Sequence, residues 1–325
     1  MRLDFHTHFY TAAYLRAVAR GETRAQLVQD GMGRRLLTAG DYSLLAPAHD
    51  DPEVVLAAMA QNGIDRQLLS FTIPGLHVEE AGAGVRLARL VNDGLAEVVS
   101  RYPDRLRALA ALPLHVPEAA VAELERAVGQ LGLCGAQLFS NVNGRSLADP
   151  SFWPLYEMAE ALDVPLFIHP TTPVSVAGMQ EFRLVPMAGF LFDTTLAALQ
   201  LVFEGVMAAF PKLKIVLGNL GGTIPFMAGR VDRGYVAYAE AQGLAERPST
   251  YLKRMFYDTA GMPDVAALQL AVQFAGVEQI VFGTDFPQQI GDVGQAVAVV
   301  EGLPVTAAEK QQILGLNGAR LLNWG

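Results

Sequence analysis

Eight short apolar runs recur along the chain, and most are followed by an Ala/Leu-rich stretch with helical spacing. The runs are LDFHTHF (3–9), DRQLLSFTI (65–73), LRALAALPL (106–114), GAQLFSN (135–141), PLFIHP (165–170), KIVLGNL (214–220), RMFYDTA (254–260) and QIVFGTDFP (279–287). The helical stretches fall at 53–62, 85–101, 117–131, 151–162, 195–210, 225–240 and 264–275, and a final helix pair fills 291–322. Strands buried on both faces read as near-continuous apolar runs, whereas amphipathic helices repeat every 3.6 residues. Eight strand–helix repeats predict a closed, parallel (β/α)8 TIM barrel, with residues 1–325 forming one domain. Two connections are long. Residues 10–52 follow the first strand and residues 171–194 follow the fifth. Both leave C-terminal strand ends, the active face of such barrels, and are read as lids, substrate walls or subunit contacts.

Four potential metal ligands map to that same face. His6 and His8 lie two apart in a strand and so share a side of it. His169 ends the fifth run and Asp285 ends the eighth. In a closed barrel the first and eighth strands are neighbours, so these four side chains can meet at one mouth. Neutral imidazoles with a carboxylate and an open position suit one divalent ion, zinc first, with manganese or iron as alternatives. Singly, each residue has an ordinary reading: a chance H-x-H pair, a strand-capping His before Pro, a turn or N-cap Asp. Their joint position carries the metal reading. His49, in a polar loop, and His77, beyond the second strand, gain no such support. His115 ends the third strand and faces the same mouth, but it is not assigned to the metal.

Composition narrows the partners. The formal charge is −9, from 24 basic and 33 acidic residues, which argues against a nucleic-acid footprint of clustered Lys and Arg. A small anionic substrate stays compatible, because local arginines outweigh a distant net charge. Cys134 is the one cysteine, so no internal disulfide can form and a cytoplasmic setting is expected. The start, MRLDFHTHFY, enters a strand pattern with no signal-peptide profile. Apolar runs are read as interrupted well short of the ~18 residues of a membrane helix, so no membrane partner is expected.

The segments HTH, FIHP, GNLGGTIPFMAGR, YDTAG, FGTDFP and LGLNGARLL together resemble the amidohydrolase superfamily. The resemblance is closest to its decarboxylase-like branch, which includes aminocarboxymuconate-semialdehyde and resorcylate decarboxylases. It implies a metal-dependent, non-oxidative decarboxylase of an aromatic or conjugated carboxylic acid. The alternatives are a hydrolase or hydratase of the same superfamily and a catalytically impaired binding relative. It also implies that His6, His8, His169 and Asp285 hold one metal ion; at the end of its strand, Asp285 is also a candidate to donate or shuttle the proton. The fourth strand ends in Phe139-Ser140-Asn141, without a lysine or glutamate to bridge a second ion.

One departure stands out. Where the family usually reads H-x-G-G after the sixth strand, this chain reads Asn219-Leu220-Gly221-Gly222. An amide orients a substrate by hydrogen bonds but cannot serve as a general base near neutral pH. Three readings stay open: a natural specialisation with Asp285 handling the proton, an engineered substitution, or a degenerate relative. Arg230 has two. It is a surface arginine paired with Asp232 or Glu240, or, by the resemblance, it crosses a dimer interface to grip the partner's substrate carboxylate. The second reading makes the protein a homodimer or larger. Arg24, Arg34 and Arg35 are candidates for a further carboxylate anchor. Phe192 is expected at the substrate, with Phe190 and Trp153 as further pocket candidates. Asp193 or Thr194 is expected to cap the helix that follows.

Overall fold

A computed structural model describes residues 1–38, 41–261 and 264–325. Residues 39 and 40 of the first long connection lie outside the described residues. Eight parallel strands form the barrel: β1 (Leu3–His8), β2 (Arg66–Ser70), β3 (Leu106–Ala108, continued at Ala110–Ala111), β4 (Ala136–Phe139), β5 (Pro165–His169), β6 (Lys214–Leu217), β7 (Phe256–Asp258) and β8 (Ile280–Val281). Each pairs with the next in sequence order, from Leu3 opposite Arg66 round to Tyr257 opposite Ile280. The circle closes between β8 and β1. Phe5 N–H donates to Phe282 O at 2.7 Å, and Thr7 bridges Phe286. β1, β4 and β5 are buried throughout, which explains their unbroken apolar character.

The lower lumen is filled by Leu3, Phe5, Leu68, Leu109, Phe167, Val216 and Val281. Leu321, Leu322 and Trp324 from the C-terminal segment join this cluster. Arg66 and Arg107 lie over the Trp324 ring at 5.0 and 4.9 Å and donate to the carbonyls of Trp324 and Leu322. The mouth is therefore the lumen's chemically active end.

The pairing of β1 with β2 slips by one residue between Asp4 and Thr7. A bulge of this kind re-aims side chains. Here the adjacent residues Phe5 and His6 both pack on the Phe167 ring, at 6.1 and 4.9 Å. Phe5 stays in the apolar floor while His6 and His8 turn into the mouth.

The 10–52 connection has its own architecture. Thr11 caps helix Ala12–Ala19, and an antiparallel sheet of Gln26–Asp30, Gly33–Thr38 and Asp41–Leu44 follows. A short turn at Pro47–His49 then leads to helix Pro52–Asn62, capped by Asp51 and ended by left-handed Gly63.

The second long connection is shorter than expected. Helical structure begins at Val185 and runs through helix Phe190–Phe203, so Asp193 and Thr194 are inside the helix and do not cap it. Asp193 instead accepts hydrogen bonds from Ser140 Oγ (2.5 Å), Asn141 Nδ2 (2.8 Å) and Val174 N–H (3.1 Å). The 19 residues from Val185 to Phe203 are also long and apolar enough, by length and composition alone, to cross a membrane. The expectation that every apolar run is interrupted well short of that length is thus corrected. The single charge in the segment, Asp193, is buried against the barrel, and 44% of its most apolar window packs inside the protein.

Candidate metal centre

His6, His8, His169 and Asp285 meet at the mouth, each offering one ligand atom, all within 4.8 Å of one another. Strand ends deliver the histidines. Asp285 follows β8 with φ +63°, a left-handed conformation uncommon outside glycine. Its N–H donates to His6 O at 3.0 Å, which ties that turn directly to the bulged strand.

Outward hydrogen bonds set the ring orientations. His6 Nδ1 lies 2.6 Å from Asp258 Oδ2, and His169 Nδ1 lies 2.6 Å from Pro170 O. His8 Nδ1 lies 3.3 Å from Ser70 Oγ, whose own proton goes to Thr7 O. In each case Nδ1 carries the proton and Nε2 keeps its lone pair for the centre. The consequence is a crowd of electron pairs. His6 Nε2 and His8 Nε2 stand 3.2 Å apart, and Asp285 Oδ1 is 2.8 Å from His8 Nε2 and 3.4 Å from His6 Nε2. Lone pairs facing each other at these distances repel unless a cation lies among them. The donor set therefore fits a divalent ion, and the Asp258–His6 pair is the usual outer support of a metal-bound imidazole.

Burial keeps two of the three imidazoles neutral. Burial pushes His8 well below the ordinary imidazole value, and neighbouring His6 and His49 push it further. Burial does the same to His169, with His8 and His6 adding to it. Burial also pulls on His6, but the Asp258, Asp285 and Asp4 carboxylates together outweigh it and leave that imidazole raised. Burial raises the Asp285 carboxyl against the opposing pull of His6, His169 and His49.

Asn219 lines the adjoining cavity. Its backbone N–H donates to Asp258 Oδ1 at 2.7 Å, while its own Oδ1 is buried without a partner. It opens a run of left-handed residues, Asn219, Leu220, Gly221 and Gly222, with φ between +52° and +67°. A Cβ at Gly222 would stand 2.0 Å from Leu191 O, so glycine is required there both for conformation and for space.

The cavity measures about 260 Å³ and opens beside His169, Asn219 and Asp285. Ile73, Pro186, Met187 and Phe190 are among its apolar walls. Phe190 thus lies where a substrate wall was expected. Phe192 does not: it is 54% exposed and off the cavity, because its helical phase carries it to the outer face. Trp153 packs on Phe210, with ring centroids 5.6 Å apart, away from the cavity.

The arginines also redistribute. Arg24 pairs with Glu80, Arg34 with Asp50 at 2.7 Å, and Arg35 with Asp30. None of the three lines the cavity, whereas Arg183 does. Arg230 is exposed on helix Ile224–Ala237 and, among the described residues, pairs with neither Asp232 nor Glu240. Asp232 is instead taken by Ser249, at 2.9 and 2.7 Å.

Two residues near the centre carried no assignment from sequence. Asp258 sits in the YDTAG segment, but its partner His6 is 252 residues away. His49 is buried, accepts from Ala46 N–H at 3.0 Å, and lies close enough to His8 and Asp285 for their charges to interact. Its Nε2 has no partner.

Comparison with known proteins places this geometry in context. The family model described as Amidohydrolase matches residues 3–324. A 2-amino-3-carboxymuconate-6-semialdehyde decarboxylase of Dictyostelium discoideum is 32% identical over 278 residues, covering 84% of this chain and 76% of that protein. The crystal structure of 5-carboxyvanillate decarboxylase from Sphingomonas paucimobilis superposes with a TM-score of 0.87 at 28% identity, covering 99% of this chain and 98% of that one. A dihydroxybenzoic acid decarboxylase from Polaromonas, solved with manganese and the inhibitor 2-nitroresorcinol, gives a TM-score of 0.81 at 26% identity and covers 99% of this chain and 96% of that one. The resemblance read from the sequence segments is borne out.

Proposed function

The chain belongs to the amidohydrolase family, and from that membership we propose that it is a metal-dependent, non-oxidative decarboxylase of an aromatic or conjugated carboxylic acid. The observation that carries this reading is the convergence of three imidazole Nε2 atoms and Asp285 Oδ1 beside a small cavity with both polar and apolar walls. His6, His8, His169 and Asp285 would hold a divalent ion there, which would supply Lewis acidity. Ligand chemistry favours zinc, and the manganese-bound relative makes manganese the second choice.

The chain's own groups then account for the proton. The Asp285 contacts with the histidines use Oδ1, leaving Oδ2 to hold the proton. Transfer from Oδ2 to the carbon bearing the carboxylate interrupts the conjugation. Cleavage of the bond to the carboxylate returns its electron pair to the ring and releases CO₂. Asn219 accepts a hydrogen bond from the substrate through Oδ1 and so orients it; it moves no proton. Arg230, exposed and paired with neither Asp232 nor Glu240 among the described residues, reaches the active site of a second copy in a homodimer. The lone cysteine, Cys134, supports a cytoplasmic setting.

The test is direct. Metal-loaded protein is incubated with hydroxybenzoic and muconate-type acids, while CO₂ release and water addition are followed together. The expected outcome is CO₂ release that disappears with a chelator and returns with zinc or manganese. Hydrated or hydrolysed product without CO₂ would overturn the assignment.

A further inference from the structure

Three of the four ligands have an outer partner. His6 leans on Asp258, His169 on Pro170 O and His8 on Ser70 Oγ. Asp285 does not. Its contacts with the ring nitrogens use Oδ1, and among the described residues no donor stands at its Oδ2. A carboxylate that ligates a metal is ordinarily hydrogen-bonded in turn. A donor without an acceptor lies on the same side of the mouth. Along one edge of β1 the N–H groups of Phe5, His8 and Tyr10 donate to the carbonyls of Phe282, Phe286 and His49, at 2.7, 2.8 and 2.6 Å. On the other edge Phe9 N–H goes to Ser70 O. His49 therefore continues the row begun by β8, next after the residue that follows Asp285. Its ring is held in place. Nδ1 accepts from Ala46 N–H at 3.0 Å, so the proton is on Nε2, and the Tyr10 ring lies 27° from parallel with centroids 6.0 Å apart. His49 is 1% exposed, and its Nε2 has no partner. A buried N–H left unpaired forfeits the whole of its hydration, so such an orphan points to an acceptor that joins it in the working state.

We propose that His49 is the positioning residue of Asp285, its Nε2–H being the donor that Oδ2 takes up in the loaded centre. Hydrogen bonds at active sites are often long in the empty enzyme and tighten once the site is filled. His49 is not among the residues whose ligand atoms meet within 4.8 Å, so it acts on the ion only through Asp285. The two roles of Oδ2 are compatible. One of its lone pairs takes the His49 N–H, and the other stays available for the proton that the reaction moves. The assignment rests on the metal centre of the function proposed above and is independent of which bond that centre breaks.

Zinc affinity of the full chain, read by competition with a chromophoric chelator, tests this without any substrate. His49→Asn keeps an oxygen for Ala46 N–H but carries no donor out to the Nε2 position, whereas His49→Gln carries one there. His49→Asn is expected to weaken zinc binding about 10-fold or more, the low end of what loss of an outer partner costs, and His49→Gln to stay within about threefold of the parent. In an Asp285→Ala background the His49→Asn change should shift affinity by less than about twofold, because the group it acts on is gone. His49→Met matches glutamine in size without the donor and should bind as weakly as His49→Asn; it gives the same decision where the asparagine variant does not fold. Parental affinity in His49→Asn or His49→Met, an equal loss in His49→Gln, or an undiminished loss in the Asp285→Ala background would each overturn the assignment. CO₂ release from hydroxybenzoic and muconate-type acids is followed on the same samples. Zinc binding that depends on His49, with no CO₂ released, would sink the decarboxylase reading alone. CO₂ release with zinc binding indifferent to His49 would sink the positioning role alone.

Discussion

Asn219 is the residue on which the chemistry turns. Its φ of +56° suits asparagine, which tolerates the left-handed region better than most residues. Its side chain is closely approached, since a Cβ at Gly261 would stand 3.1 Å from Asn219 Cβ. A histidine there would offer a base that the Asp285 route does not use. Asn219→His is therefore expected to leave turnover within a few-fold of the parent or lower it, as measured by steady-state CO₂ release. Installing a missing general base would instead raise the rate by ~10²-fold or more, and such a gain would show that the site is a degenerate or altered one. The four ligands were legible in sequence because they fall at the ends of apolar runs and period-2 spacing puts His6 and His8 on one side of their strand. Asp258 and His49 were not, because their roles depend on contacts across the barrel. His6 and Asp258 are 252 residues apart, and a polar stretch such as APAHD gives no sign that its histidine will be buried.

At the scale of elements, the strand-and-helix rhythm was readable because parallel strands and amphipathic helices have different periods. The start of the helix after β5 was not. Asp193 looks like an N-cap in sequence, yet its carboxylate binds Ser140, Asn141 and Val174 across space. This buried acid fastens the most apolar helix to the end of β4. Asp193→Ala would leave these donors without their acceptor and is expected to lower stability by roughly 3 kcal/mol. Urea denaturation of the metal-loaded protein measures this, and a change below about 0.5 kcal/mol would remove Asp193 as a fastening point. The slip in β1 was equally hidden. Alternation put His6 and His8 on one face, but only the bulge lets that face turn to the mouth while Phe5 stays in the floor.

For the molecule as a whole, buried histidines set the response to acid. Burial pushes His77 down to about 4, with His115 adding to the effect; burial likewise lowers His49 to about 4. An unfolded chain binds these protons near pH 6.5, so between roughly 6.5 and 4 the unfolded state holds more protons than the folded one. Stability is thus fully present above the unfolded value and falls as pH drops through the window, by at most about 3 kcal/mol for each histidine. His77 is the better probe, since it lies apart from the ligand cluster. In chelator-treated protein, the loss of unfolding free energy between pH 7 and pH 4.5 should shrink in His77→Gln. An unchanged loss would exclude His77 as a contributor.

The barrel closes by joining its first strand to its last, and this has a temporal side. His8 and Asp285 are 277 residues apart in the chain. At ~5–20 residues per second, a ribosome needs on the order of tens of seconds to travel between them. Through that interval the first two imidazoles are outside the tunnel with no carboxylate to meet, and Trp324, which stoppers the floor, is made later still. Capture of the ion by all four ligands therefore waits until Asp285 has been made, and a nascent N-terminal half cannot assemble that set in advance.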